Sequence, residues 1–257
     1  MENNTIFMIS GKDFKSICNW NLCNRYDIKF NILEIKEDDF IFLNLDNIFQ
    51  YIKLLKENKL PKFNLITHNS DLTFDSNILK ELKPFVKHIY CINSVVTDNC
   101  LTKIPLGFSD RLSVIIDKVE ILNIKKNLVY LNFYHNRNKE RLDCLDYFRN
   151  FDWIFYENDI PNIDYYNSLE NSKYSLCPIG TGLDTHRFYE SIYLNTIPII
   201  KRNKLSDLHE KFPCIIIDSW NEINKEFLVK NYDDNLNQLI NWKKNNDWLN
   251  PKFWIKK

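Results

Sequence analysis

One stretch of the sequence, Tyr174 to Asn203, has the residue types and spacing that could hold an anionic ligand. It opens with an apolar run that ends at Cys177 and is typical of a buried strand. Gly180 and Gly182 follow in a short loop, and a second apolar run, Ile197 to Ile200, indicates the next strand. The pattern predicts a strand, a glycine loop, a helix and a strand. Glycines at the carboxyl end of the first strand would let the backbone approach a ligand closely.

The helix predicted behind this loop carries two charged side chains in its first turns. Asp184 or Thr185 can cap the helix, whose N-terminus then presents free N–H groups and a partial positive charge. Arg187 adds a guanidinium that can pair with phosphate oxygens. Glu190 lies three residues further on, on the same helix face, where a carboxylate can accept hydrogen bonds from sugar hydroxyls. An anion beside a polyol describes a nucleotide sugar. The alternative is an ordinary loop with Arg187 and Glu190 in a surface ion pair.

A second polar segment, Asn132 to Arg141, overlaps the end of another predicted strand, Leu128 to Phe133. It joins the carboxyl end of that strand to a helix, which is where open α/β sheets place their ligands. Arg137 and Arg141 offer cations in this segment, and Asn132 offers a neutral hydrogen-bond donor. Arg137 is equally typical of a solvated loop residue.

Strands alternate with helices along the rest of the chain. The apolar spacing predicts, among others, a helix from Phe14 to Tyr26, a helix from Ile48 to Glu57 and a strand from Asn64 to Thr67. Such alternation predicts an α/β fold with parallel sheets and right-handed crossovers. A looser, charged stretch from Lys118 to Lys126 is the candidate domain boundary.

Four motifs occur in order between about Ile66 and Ile200. They are Ile66-Thr67-His68-Asn69-Ser70-Asp71, Ile104-Pro105-Leu106-Gly107, Tyr130-Leu131-Asn132-Phe133 with Asn136 and Arg141, and Cys177-Pro178-x-Gly-x-Gly-x-Asp-Thr-His-Arg-Phe-x-Glu, followed by the strand that begins at Ile197. Together they resemble the exostosin-like glycosyltransferases, in particular a small viral and bacterial branch of that family. Asn195 departs from the family pattern, which usually has a small residue before this last strand.

The resemblance implies the GT-B architecture, in which two Rossmann-like halves with parallel sheets face each other across a cleft. We expect an N-terminal acceptor domain over residues 1–122. A C-terminal donor domain is expected over residues 123–257, with its last helices packing back on the first domain.

The resemblance also implies the activity. We expect transfer of a hexose or pentose from a nucleoside diphosphate sugar, expected to be a UDP-sugar, to a glycan, a glycoprotein or another hydroxyl acceptor, with inversion. In the resembled family the residues that match Asn132 and Arg141 face the diphosphate, and the one that matches Glu190 binds the ribose. No Asp-x-Asp motif follows a predicted strand, so we expect neither a metal nor another cofactor.

The general base should come from the first half of the chain. His68 and Asp71 directly follow a predicted strand, and an imidazole or a desolvated carboxylate can accept a proton. We favour Asp71 as the base. The alternative is a capped turn in which Asn69 or Asp71 bonds to the backbone. Asp110 and Arg111 are further candidates for the acceptor side.

Two other classes of function stay open. One is a catalytically inactive module of the same fold that binds a nucleotide sugar or a glycan. The other is an unrelated phosphate-binding enzyme such as a kinase or phosphatase, although no G-x-x-x-x-G-K-[ST] loop is present.

Composition excludes several classes of protein. The 257 residues are 44% hydrophobic, which argues against disorder, and 34 basic residues balance 34 acidic ones, which argues against a nucleic-acid partner. The seven cysteines are scattered without a C-x-x-C motif, as expected of free thiols in a reducing compartment. No signal peptide or transmembrane run is recognisable, so we expect a cytoplasmic protein, in the host cytoplasm if it is viral.

Overall fold

The structure is a computed structural model that describes residues 8–22, 34–109, 118–120, 124–134 and 138–255. The described residues form two compact units, one built from those up to Leu106 with those from Trp248 onward, the other from Gly107–Asp247. Each unit contains one five-stranded parallel sheet. The predicted α/β class with two Rossmann-like halves is therefore confirmed. The domain boundary expected between residues 122 and 123 lies outside the described residues and stays a prediction.

The first unit has strands in the spatial order of the chain, β1-β2-β3-β4-β5, all parallel. Its elements are α1 (Gly11–Ser16), β1 (Trp20–Leu22), β2 (Phe40–Asn44), α2 (Ile48–Glu57), β3 (Phe63–His68), α3 (Ser76–Leu82), β4 (Val86–Cys91), β5 (Leu101–Lys103) and a last short helix, Pro251–Trp254.

The last segment of the described chain belongs to this first unit. The backbone N–H of Ile9 donates to the carbonyl of Leu249 at 3.0 Å. Trp248 and Trp254 are both buried, and the indole N–H of Trp254 donates to the Trp248 carbonyl at 2.8 Å. The first unit is thus completed by residues that follow the whole second unit in the chain.

The predicted helix from Phe14 to Tyr26 is wrong over residues 17–22, and its last four residues lie outside the described residues. Helix α1 ends at Ser16 and strand β1 begins at Trp20. The cause is pairing with β2: the N–H of Asn19 donates to the Phe40 carbonyl at 2.9 Å, and its side chain accepts from the Phe40 N–H at 2.8 Å. Pairing with a distant strand overrides the local helical spacing.

The second unit has the strand order β7-β6-β8-β9-β10, again all parallel. Its elements are β6 (Asn127–Leu131), α4 (Lys139–Phe148), β7 (Ile154–Tyr156), α5 (Asn162–Glu170), β8 (Ser172–Leu176), α6 (His186–Tyr193), β9 (Ile197–Lys201), α7 (Ser206–His209), β10 (Ile215–Ile217) and α8 (Lys225–Asn245).

Numbered within the unit, this order is 2-1-3-4-5, so the chain reverses its direction of winding between β6 and β8. In open parallel sheets such a reversal leaves a crevice at the carboxyl ends of the two central strands, and ligands bind there. The apolar side chains of these strands pack under the helices in one buried cluster that includes Val129, Leu131, Tyr174 and Leu176.

Two further features bear on the sequence analysis. Within the described ranges, no helix is long and apolar enough to cross a membrane. The six cysteines in those ranges are free thiols: Cys18, Cys91, Cys100, Cys144, Cys177 and Cys214.

Candidate functional site

The structure brings together the two polar segments that the sequence analysis singled out. Strands β6 and β8 are neighbours at the centre of the second sheet. The residues that follow β6 include Asn132, and those that follow β8 include Gly180 and Gly182. Both segments therefore lie at the carboxyl edge of the sheet, at the reversal between β6 and β8.

Side chains at the start of α4 fix the loop that follows β8. Asn138 caps the helix by accepting from the N–H of Arg141 at 2.9 Å, and its amide donates to the carbonyls of Ile179 and Gly180 at 2.8 and 2.5 Å. Glu140 accepts from the N–H of Ile179 at 3.1 Å. The carbonyl of Ile179 also accepts from Nε of Arg141 at 2.9 Å. The start of α4 and the loop that follows β8 are thus joined by hydrogen bonds.

The guanidinium of Arg141 lies so close to Gly180 that a side chain there would make a tight contact with it. A Cβ atom on Gly180 would lie 3.1 Å from Nη2 of Arg141. Nη1 of Arg141 donates to the carbonyl of Tyr134 at 3.1 Å, and the guanidinium lies 5.7 Å from the ring centre of Phe133. The absence of a side chain at Gly180 therefore lets the Arg141 guanidinium lie close to the backbone. Gly182 is buried.

Arg187, in the first turn of α6, places a second guanidinium beside the same ring. Its Cζ atom lies 5.6 Å from the ring centre of Phe133 and 5.6 Å from that of Tyr165. Its Nε–H is buried and has no hydrogen-bond partner among the described residues. Burial alone would lower the pKa of Arg187, but neighbouring acidic groups, Tyr165 foremost, raise that pKa, so the side chain stays charged.

Glu190 is buried in α6 and holds two tyrosines of α5. Its side chain accepts from the phenol of Tyr165 at 2.8 Å and from that of Tyr166 at 3.0 Å. Burial raises the pKa of both phenols, and the Glu190 carboxylate raises it further. Glu190 therefore does not form the surface ion pair that was the alternative interpretation of this helix.

The carboxylate of Asp184 points into the core. It accepts from the phenol of Tyr189 at 2.6 Å and from the N–H of Thr185 at 2.9 Å. It also bonds Nε2 of His209, in α7, at 3.1 Å. Thr185 is the N-cap residue of α6 and makes no capping hydrogen bond through its side chain. Asp184 thus ties the loop to helices α6 and α7.

A link between two of the motifs becomes visible at Gly107. Gly107 has a positive φ of 65°, a conformation that favours glycine. Its carbonyl accepts from Nδ1 of His186, the first residue of α6, at 2.6 Å. Gly107 therefore helps to fix the start of the helix that carries Arg187.

In the first unit, His68 is buried at the end of β3. Its ring lies 5.4 Å from that of Phe14 and 6.4 Å from that of Phe42. Its Nε2 bonds the carbonyl of Pro105 at 3.3 Å, and its Nδ1 lies 2.8 Å from the side-chain oxygen of Asn69. Both ring nitrogens are thus engaged within the unit.

Asp71, three residues later, is exposed. The turn before it is fixed by Ser70, whose hydroxyl donates to Asp46 and whose carbonyl accepts from the Asn93 amide at 3.1 Å. Across the described ranges, the Asp71 side chain makes no hydrogen bond or ion pair.

Two polar residues at this edge of the second sheet were not predicted from the sequence. Tyr130 lies in β6 with its hydroxyl fully buried, and Glu157 directly follows β7. Within the described part of the chain, no hydrogen bond of normal length and angle reaches the Tyr130 hydroxyl, Oε2 of Glu157 or the amide nitrogen of Asn132, although Glu157 and Asn132 lie close enough to the Tyr130 phenol to act on its pKa. The sequence did contain a signal for Glu157, because this residue directly follows a predicted strand, and in a Rossmann-like half that strand pairs with the first one.

Three of the candidate residues cannot be placed. Arg137, Asp110 and Arg111 lie outside the described residues. Among those described, no group of three or more His, Cys, Asp or Glu side chains is arranged to hold a metal ion.

The part of the chain that forms this edge of the sheet also matches a known family. Residues 125–250 match the RXYLT1 C-terminal domain. That family is related to xylosyltransferases, so the match points to a glycosyltransferase-like protein. The RXYLT1 C-terminal domain match includes all five strands of the second sheet, Arg141, Arg187 and Glu190. The predicted relationship to glycosyltransferases is confirmed at this level, and the viral and bacterial branch stays a prediction. No curated protein matches the chain.

Proposed function

We propose that the protein transfers a sugar from a UDP-sugar to a hydroxyl group of a glycan or glycoprotein. The observation that carries the proposal is the guanidinium of Arg187, which lies at the carboxyl edge of the RXYLT1-like sheet with a buried, unpartnered Nε–H in the described part of the chain. A partly buried cation with an unsatisfied donor is costly unless an anion pairs with it. The diphosphate of a nucleotide sugar is such an anion.

Arg141 supplies a second cation for the diphosphate. The guanidinium groups of Arg141 and Arg187 lie 5.7 and 5.6 Å from the ring centre of Phe133, so both cations lie beside the same aromatic ring. Fixed cations and donors of this kind stabilise the charge that develops on a departing diphosphate. On this basis we propose a reaction that needs no metal ion.

The reaction we propose is a single displacement. The acceptor oxygen forms a bond to the anomeric carbon while the bond from that carbon to the diphosphate breaks, and the electron pair leaves with the diphosphate. The proton of the acceptor hydroxyl passes to a general base, and the anomeric configuration is inverted. We assign the base to Asp71, because its carboxylate is exposed, whereas His68 is buried with both ring nitrogens engaged.

The sugar itself is the finer part of the proposal. The name of the matched family refers to a xylosyltransferase, so UDP-xylose is the first donor to test, and UDP-glucose represents the hexoses.

The proposal is tested in two steps. Thermal unfolding with UDP, GDP, ADP and CDP should show stabilisation by UDP. Release of UDP from UDP-xylose or UDP-glucose is then measured with EDTA present. Arg187→Ala should weaken UDP binding at least about tenfold, since hydrogen bonds to charged groups contribute about 1.5–3 kcal/mol. Arg149→Ala, which removes the exposed arginine that caps the C-terminal end of α4, is the control and should bind normally.

Each outcome has a definite meaning. Failure of all four nucleotides to bind contradicts the proposal. Loss of UDP release when EDTA is added contradicts the proposal that the reaction needs no metal ion. Binding without release at any condition identifies a nucleotide-sugar-binding module instead.

A further inference from the structure

The ends of strands β6 and β7 present one continuous polar face. The strands pair in parallel with Tyr130 opposite Phe155, and the N–H of Glu157 donates to the Leu131 carbonyl at 3.2 Å. Asn132 and Glu157 therefore follow side by side, where the strands end. Because alternate side chains of a strand share a face, both lie on the face of Tyr130 and Phe155, whose rings stack at 5.9 Å.

Four buried polar atoms of this region make no hydrogen bond of normal length and angle to a described residue. They are the hydroxyl of Tyr130, Nδ2 of Asn132, Oε2 of Glu157 and Nε of Arg187. The first three groups converge, because burial raises the pKa of the Tyr130 phenol, the nearby Glu157 carboxylate raises it further and the nearby Asn132 amide lowers it. Tyr130 is 0% exposed, so its hydroxyl does not reach bulk solvent. Buried polar atoms are almost always hydrogen-bonded in folded proteins, and a group of unpaired ones needs an explanation.

The chemistry of these atoms selects a ligand class. The carboxylate oxygen only accepts hydrogen bonds, the amide nitrogen only donates them, and the phenol does both. Hydroxyl groups on neighbouring carbons match this set, because each can donate to Glu157 and accept from Asn132 or Tyr130. A phosphate does not match, since it would bring negative charge against the Glu157 carboxylate.

We infer that Tyr130, Asn132 and Glu157 form a subsite for adjacent hydroxyl groups of the nucleotide sugar. The inference rests on the proposed function. The subsite is next to the proposed diphosphate position, because the ring of Tyr165 lies 5.9 Å from that of Tyr130 and 5.6 Å from the guanidinium of Arg187.

Glu190 takes a different role in this arrangement. The sequence analysis assigned it to the ribose, but both of its carboxylate oxygens already accept from phenols, those of Tyr165 and Tyr166. Glu190 is therefore a positioning residue. It holds Tyr165 between the hydroxyl subsite and Arg187, and Glu157 supplies the carboxylate that meets the ligand.

Isothermal titration calorimetry with three probes tests the subsite. UDP, 2′-deoxy-UDP and UDP-xylose are titrated into the wild-type protein, Tyr130→Phe and Glu157→Gln. Both variants keep the size of the side chain, so the fold should persist, and thermal unfolding verifies this. Tyr156→Phe, an exposed phenol between Phe155 and Glu157 in the same chain segment, is the matched control and should bind as the wild type does.

Two patterns support the inference and identify the hydroxyl groups. If the subsite binds the ribose, Glu157→Gln weakens the binding of UDP at least about tenfold but leaves the affinity for 2′-deoxy-UDP unchanged. If the subsite binds the transferred sugar, the same variant weakens the binding of UDP-xylose by that factor but leaves the affinity for UDP unchanged.

Two other results overturn it, and they are distinguishable. If both variants bind UDP and UDP-xylose within about twofold of the wild type, the subsite is wrong while the proposed function stands. If the wild-type protein binds neither UDP nor UDP-xylose, both the proposed function and the subsite are contradicted.

Discussion

Replacing Glu190 with alanine should destabilise the protein strongly, which is not the usual result for a residue whose job is to touch a ligand. The carboxylate is 3% exposed and accepts two hydrogen bonds, at 2.8 and 3.0 Å from the phenols of Tyr165 and Tyr166. A hydrogen bond to a charged group contributes about 1.5–3 kcal/mol. Loss of both bonds, with two phenols left unpaired, should lower the free energy of unfolding by about 3–6 kcal/mol.

Thermal and urea unfolding measure this effect. A loss of that size lowers the melting temperature on the order of 10 °C for a protein of this length. Glu190→Gln and Tyr166→Phe, which each retain part of the network, should lie between the alanine variant and the wild type. Glu226→Ala removes an exposed glutamate of α8 and should change the free energy by less than about 0.5 kcal/mol.

The reasoning would be refuted by either of two results. Glu190→Ala could melt at the same temperature as Glu226→Ala, which would mean that the buried network does not stabilise the fold. Alternatively, Glu190→Gln could keep its stability yet lose UDP affinity tenfold, which would mean that Glu190 contacts the nucleotide directly.

Two further predictions concern the glycine loop and pH. Gly180→Ala should weaken UDP binding several-fold with little change in melting temperature. The reason is that the new Cβ would lie 3.1 Å from Nη2 of Arg141 and displace the guanidinium by a few tenths of an ångström. Calorimetry measures the affinity, and an unchanged affinity would count against this prediction. Burial lowers the pKa of Lys125 and of Lys243 to about 8, below their value in the unfolded chain. The unfolded state then binds more protons between pH 8 and 10, so the free energy of unfolding should rise over that range, by up to about 1.4 kcal/mol per pH unit for each lysine. Urea titrations at several pH values test this, Lys125→Met should flatten the rise, and a fall in stability over that range would contradict it.

The parts of the fold that the sequence predicted well are those set by local spacing. Helix α2 occupies Ile48–Glu57, as the sequence predicts, because its apolar residues recur at helical intervals. Strand β5, Leu101–Lys103, was not predicted, since it is three half-buried residues long and has no apolar run. The helix expected from Phe14 to Tyr26 ends at Ser16 because the backbone from Asn19 to Leu22 pairs with a strand that is distant in the sequence.

The candidate site likewise has a part that local spacing predicts and a part that depends on contacts between distant segments. The positions of Arg141, Gly180 and Arg187 follow from strand ends and helix starts, which spacing encodes. The partners of Glu190 do not, because they come from α5, and nothing in the local spacing of α6 shows that α5 packs against it. Glu157 and Tyr130 become neighbours only through the register of β6 with β7.

The return of the last segment to the first unit has a consequence for how the chain is made. Trp248 and Trp254 leave the ribosome only after the whole of Gly107–Asp247 has been synthesised. At ~5–20 residues per second, that interval is on the order of 10 s. Throughout it the nascent N-terminal unit lacks the two tryptophans and the backbone partner of Ile9, so its apolar surface is most open to chaperones, proteases and misassembly during translation.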